Sequence, residues 1–281
     1  MTKKKINLSV IVPVFNEEKT LIKILNQIKY LEKFCNLEIL VVNDGSTDKS
    51  KEIILSNQHL FTKAIHLDKN FGKGKAVIEG LKNCIGDYIL MQDADLEYEP
   101  KNIEKFLNKI QKYEADLIMG SRFTGNDRSI LNFWHMVGNR VITILFNILN
   151  NTTFSDIYCC YFLFKKNFIY PEKLQSFGWG QQAEILTYVV KKSSKIYEIA
   201  VNYNGRTYKD GKKIKYYNVF EVIFWIIYTK INLYRLMKPG SSLFDKESRL
   251  NVTFPFTITN QIVGKLIKKG DDDSTPFGMY M

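Results

Sequence analysis

Short β-branched runs alternate with helix-period segments through the first 122 residues, and few folds can accommodate that order. "LSVIVPVF" (8–15), "LEILVVND" (37–44), "TKAIHLD" (62–68), "DYILMQD" (87–93) and "ADLIMGSR" (115–122) read as strands. Between the first two, apolar residues at 21, 22, 24, 25, 28 and 31 fit helical spacing, with Asn16 able to cap the start. Residues 48–55 and 100–113 read as helices, and Gly72 and Gly74 open another through "AVIEGLKNC". Strands that alternate with helices build a mostly parallel sheet with helices on both faces, an α/β fold. After residue 123 the order loosens. Residues 130–150 and 219–237 are long apolar helices, 181–192 is helical, and 157–164 and 195–204 are strand-like.

A net charge of +11 points to an anionic partner: nucleotide phosphates, a phospholipid surface or nucleic acid. Four cysteines (35, 84, 159, 160) without C-x-x-C spacing and three unpaired histidines argue against a zinc site and for a reducing compartment. The basic N-terminus is followed too soon by Pro13 and Glu17 for a signal peptide. No run of 18 apolar residues suggests a membrane span. No G-x-G-x-x-G follows the first strand, which argues against a dinucleotide-dependent oxidoreductase.

In a parallel α/β sheet, ligands bind beyond the C-terminal strand ends. There the chain places "PVFNE", "NDGSTD" and "QDAD". Singly each is common: "NDGS" is an ordinary turn, a D-x-D occurs often by chance, and Gly72 and Gly74 suit turns more than phosphate cradles. Together, "SVIVPVFNEEKTL", "EILVVNDGSTDKS", "NFGKGKAVIEGL", "GDYILMQDADLEYEP" and "ADLIMGSRF" cover residues 8–123. In that order they resemble the family-2 glycosyltransferases of the GT-A fold. The subgroup most similar is that of dolichyl-phosphate mannose synthase and the bacterial polyprenyl-phosphate glycosyltransferases.

The resemblance implies one catalytic domain over 1–238, a nucleotide-sugar half of about 6–123 and an acceptor half of about 124–238, with 239–281 a peripheral tail. It implies an inverting transfer from a UDP- or GDP-sugar. Asp93 and Asp95, two residues apart on a strand, face one side and suit a shared Mg2+ or Mn2+ that stabilises the departing pyrophosphate. Asp95 is thereby a catalytic candidate. By resemblance, Asp44 binds base or ribose, Pro13, Phe15 and Glu17 border the base, and Lys75 contacts the nucleotide. Arg206, Lys212 and Lys213 are similar to the family's pyrophosphate clamp, although this stretch is longer and has Lys where the motif has Ser.

A polyprenyl phosphate acceptor is already anionic and needs cations, for which Arg122 and Arg140 are candidates. A saccharide hydroxyl, as in cell-surface polysaccharide or cell wall biogenesis, would instead need a base. Asp156 and Glu184 match acidic positions on the acceptor side and are the candidate catalytic carboxylates. The family's "D-x-x-x-G-F" has Cys160 at its glycine, which would strain a backbone needing positive φ. From Arg206 to Lys238, eight basic residues stand against two acidic ones. With the aromatic 219–237 helix, this suggests a cytoplasmic enzyme peripheral on the inner membrane face, and no nucleic-acid partner. A non-catalytic nucleotide-binding protein is the remaining class.

Overall fold

The computed structural model describes residues 5–125, 133–205 and 218–235. Contacts divide the chain into a unit Met1–Leu233, described below, and a second unit from Tyr234 to Met281. The expected tail at 239–281 lies outside the described residues. The strands are β1 (Asn7–Val14), β2 (Asn36–Asn43), β3 (Lys63–His66), β4 (Tyr88–Met91), β5 (Leu117–Ser121), β6 (Phe162–Lys165) and β7 (Ile196–Ala200). The helices are α1 (Leu21–Lys29), α2 (Ser50–Ser56), α3 (Lys73–Asn83), α4 (Asn102–Tyr113), α5 (Phe133–Asn150), α6 (Gln181–Lys192) and α7 (Asn218–Arg235). The strands form one sheet in the order β3-β2-β1-β4-β6-β5-β7. Only β6 runs antiparallel, wedged between β4 and β5.

The central strands are buried along most of their length, as their unbroken Val, Ile and Leu runs require when helices cover both faces. α1 buries Leu21, Ile24, Leu25 and Ile28, and α4 buries Ile103, Phe106, Leu107 and Ile110. Each is one apolar stripe at helical spacing.

Two local expectations change. The 157–164 run is a strand only from Phe162 onward. Before it, Tyr158 N–H donates to Asp156 Oδ1 at 3.2 Å, turning the chain. The buried carbonyls of Ile157 and Cys159 take the Gln182 amide at 2.7 and 2.8 Å instead of a neighbouring strand. Asn16 does not cap α1, which begins after Thr20. With φ 57° its side-chain oxygen instead accepts the Thr47 N–H at 2.8 Å, pinning the "NDGSTD" turn. Cys160 is not among the positive-φ residues, so its side chain causes no backbone strain.

Candidate active site at the sheet switch point

The strand order reverses between β1 and β4: β2 and β3 lie on one side of β1, and β4 on the other. The β1–β4 register ends at Ile11↔Met91, while β1–β2 continues to Val14↔Asn43. A cleft opens where β1 outruns β4, the usual ligand position in such sheets. Pro13 marks it. Ile11 C=O accepts Gln92 N–H on the β4 side and Val14 C=O accepts Asp44 N–H on the β2 side. By alternation, the nitrogen of Pro13 faces β4 beyond the end of the ladder, where no donor is needed. Phe15 follows, 41% exposed. Glu17 is half-buried and its carboxylate accepts the Thr20 hydroxyl at 2.8 Å.

Asp44, at the end of β2, is buried. Its two oxygens accept the N–H groups of Phe71 and Gly72 at 2.9 and 2.8 Å, tying β2 to the start of α3. Each oxygen keeps a second lone pair for a ligand. Gly45 (φ 64°) lets the turn pass against the Lys69 backbone, 2.4 Å from where a Cβ would stand. Gly74 N–H donates to Phe177 C=O at 3.0 Å. The α3 N-terminus is therefore docked on the loop before α6, and the glycines act as contact residues rather than as an open phosphate cradle.

The lysine that reaches the carboxylates is Lys73. Its Nζ lies 2.5 Å from Asp93 Oδ1. Burial works against its charge; the Asp93 carboxylate beside it, with Asp95, more than offsets that, so its pKa rises. Lys75 faces elsewhere, paired with Glu79 at 2.8 Å and 5.5 Å from the Phe177 ring centre. Asp95 Oδ1 accepts the Glu97 N–H at 3.2 Å. Among the described residues no three His, Cys, Asp or Glu side chains form a metal cluster. Asp93, paired with Lys73, and Asp95 two residues on nonetheless offer oxygens that fit Mg2+ or Mn2+, which take few protein oxygens and complete their shells with water and phosphate. The half-buried Cys160 thiol lies in the same field as Lys73, Asp93, Arg122 and Asp95, and burial raises its pKa.

On the acceptor side, Asp156 is fully buried and saturated. Arg122 donates to both of its oxygens at 2.7 and 2.9 Å, and Asn139 adds a bond at 2.8 Å. Burial opposes its charge, and Arg122 and Asn139 outweigh that, lowering its pKa. The bidentate pair fixes the Arg122 guanidinium beside the buried carboxylate. Arg122 and Arg140 converge on one ring, 5.7 and 5.3 Å from the centre of Phe123. Arg122 also lies over Tyr203 at 5.3 Å. Glu184, on α6, is equally occupied. Its carboxylate accepts the Gln175 and Ser176 N–H groups at 3.1 and 2.9 Å, and burial pushes its pKa up to about 7. It seats the loop that meets α3. Arg206, Lys212 and Lys213 lie outside the described residues.

Sequence reasoning missed Lys73, Asn139 and Tyr203. Lys73 was recoverable: it is the first residue of the helix that Gly72 opens. Asn139 and Tyr203 carry no local signal, since their partners are 17 residues away or more.

The sequence profile of glycosyl transferase family 2 matches residues 9–170. Glycosyltransferase GlyA of Streptococcus pneumoniae is 32% identical over 152 residues, 54% of this chain and 21% of that protein. A dolichol-phosphate mannosyltransferase of Pyrococcus furiosus is 30% identical over 241 residues, 82% of this chain and 63% of that one. This chain thus spans less than two thirds of either relative. Among solved structures, glucosyl-3-phosphoglycerate synthase from Mycobacterium tuberculosis, in complex with Mn2+ and UDP, superposes with a TM-score of 0.60. It is 15% identical and covers 80% of each chain, a likeness of GT-A-type fold. With the profile spanning more than half of its length, the chain belongs to glycosyl transferase family 2.

Proposed function

We propose that the chain is an inverting glycosyltransferase that moves a sugar from a UDP- or GDP-sugar to a polyprenyl phosphate at a membrane surface. The observation that carries this reading is the pairing of two charge centres. Asp93 and Asp95 gather a cation at the switch point. Arg122 and Arg140 gather about Phe123 on the acceptor side. Asp93 and Asp95 would hold Mg2+ or Mn2+, which supplies charge stabilisation to the departing pyrophosphate. Pro13, Phe15, Glu17 and Asp44 border the nucleoside, and Lys73 stands beside the phosphates. By resemblance, Arg206, Lys212 and Lys213, outside the described residues, would supply the pyrophosphate clamp.

The attacking oxygen of a phosphate monoester is anionic at neutral pH, so no base is required. Asp156 holds the Arg122 guanidinium in a fixed bidentate fork, and Arg122 with Arg140 orients the acceptor phosphate. A saccharide hydroxyl acceptor would require a base, and neither Asp156 nor Glu184 is presented to one.

The membrane part of the reading rests on two exposed stripes. Along α5 they are Trp134, Val141, Ile144 and Ile148, the last 74% exposed. Along α7 they are Phe220, Ile227 and Ile231. Lys230 Nζ bonds Asn150 Oδ1 at 3.2 Å, joining the two helices. No helix among the described residues is long and apolar enough to cross a bilayer. Exposed apolar helix faces instead lie in the headgroup region. The test is transfer of radiolabelled sugar on vesicles carrying a polyprenyl phosphate, beside soluble glycans. Label in an acid-labile lipid fraction is expected; label on the soluble glycans alone would refute the acceptor assignment.

A further inference from the structure

Between β4 and α4 the chain makes a tight loop that carries both Asp93 and Asp95. Gln92 lies beneath it and is completely buried. Its side-chain N–H donates to Asp93 C=O at 3.1 Å and to Tyr98 C=O at 3.3 Å. Its carbonyl oxygen accepts the Tyr161 hydroxyl at 2.8 Å, and that hydroxyl oxygen also lies 3.3 Å from Glu99 C=O. Tyr161 is itself buried and stacks on Tyr98 with ring centres 5.3 Å apart. The Gln92 main chain continues the β1 ladder, donating to Ile11 C=O at 2.9 Å. One side chain therefore closes both ends of the Asp93–Tyr98 turn from inside and fastens them to the central sheet and to the residue before β6.

We infer that Gln92, held by Tyr161, is a positioning residue that keeps Asp93 and Asp95 at the spacing a shared divalent cation requires. The inference rests on the metal-bound donor reading above. Lys73 offsets the charge of Asp93 in the metal-free protein, and the two carboxylates repel each other once that ammonium moves away to admit the ion. An unclamped loop would relax by separating them, and the ion would have to reassemble it. A buried amide with each of its hydrogen bonds to the loop or its anchor removes that freedom in advance. Groups that orient metal ligands in this way change metal affinity by about 10- to 100-fold when altered.

The test compares wild type, Gln92→Met and Tyr161→Phe. Hydrogen exchange of the metal-free proteins is measured first. Exchange at residues 93–99 is expected to quicken in both variants, most in Gln92→Met, with β1 and β2 unchanged; unaltered exchange in this loop overturns the inference whatever the ligand proves to be. Titration calorimetry with UDP and GDP, in Mn2+ and in EDTA, follows. Wild type is expected to bind one nucleotide more tightly with Mn2+. Gln92→Met is expected to keep the EDTA affinity and lose about 10- to 100-fold of the Mn2+-dependent gain, and Tyr161→Phe a smaller part of it. An intact Mn2+ gain in Gln92→Met overturns the inference, as does an equal loss with and without metal, which is the mark of general damage. A wild type that binds neither nucleotide more tightly with Mn2+ refutes the metal-bound donor reading and the spacing role with it.

Discussion

Asp156→Asn separates a catalytic from a positioning role for the residue that sequence alone marked as an acceptor-site carboxylate. The native carboxylate is fully buried, the Arg122 side chain is 14% exposed, and two bonds of 2.7 and 2.9 Å join them. Asparagine preserves shape but presents one oxygen and an amide that cannot accept from guanidinium. Breaking one side of a buried ion pair costs about 3–5 kcal/mol, and the remaining oxygen places this substitution near the low end, about 3 kcal/mol. For a chain of this size that lowers the melting temperature by roughly 6–12 °C. Replacing both partners, Arg122→Met with Asp156→Leu, is expected to recover part of that loss, since no unpaired charge then stays buried. Calorimetric melting gives the stability, and steady-state transfer gives the kinetic half. A positioning role predicts a raised acceptor KM through the disordered Arg122. A melting temperature within about 2 °C of wild type, with unchanged KM and abolished kcat, would refute the reasoning and restore Asp156 as a base.

Three further outcomes follow from the same geometry. Lys73→Met removes the ammonium that occupies Asp93; Mn2+ titration by electron paramagnetic resonance should show tighter binding of the ion alone but weaker binding of nucleotide. Burial raises the Glu184 pKa to about 7, above its unfolded value near 4.5. Its contribution is therefore complete below about pH 4.5 and is lost as pH rises through 7; urea unfolding should show this decline flattened in Glu184→Gln. Gly74→Ala would set a Cβ 2.6 Å from the Phe177 carbonyl and lower stability by about 1–3 kcal/mol, whereas Gly138→Ala on α5 meets no atom within 4 Å and should raise it by up to about 1 kcal/mol in thermal melts.

The first five strands were legible because each carries an apolar run that helical periodicity then interrupts, and a parallel sheet buries such runs on both faces. β6 was legible as a strand within 157–164, but its antiparallel insertion between β4 and β5 was not, because it depends on partners far away in sequence. Its leading residues, 157–161, imitate a strand because they are a buried loop whose carbonyls Gln182 satisfies. The carboxylate pair and Asp44 stood out through their position at strand ends. Lys73 and Lys75 could not be told apart by spacing: they are about 200° apart around a helix, and which one turns to Asp93 depends on how α3 docks against Phe177. Asp156 and Glu184 were visible in the sequence as candidate acceptor-side carboxylates, but their burial and hydrogen-bond partners, which no local pattern encodes, were not.

The central claim is direct displacement at the anomeric carbon by an anionic lipid phosphate. The measurement that meets it most squarely is nuclear magnetic resonance of the product formed from nucleotide sugar and polyprenyl phosphate with Mn2+. The account predicts a phosphodiester at the acceptor phosphorus, an anomeric configuration opposite to that of the donor, and no product in the presence of chelator. A sugar linked to a hydroxyl, or one with the donor configuration retained, would contradict it.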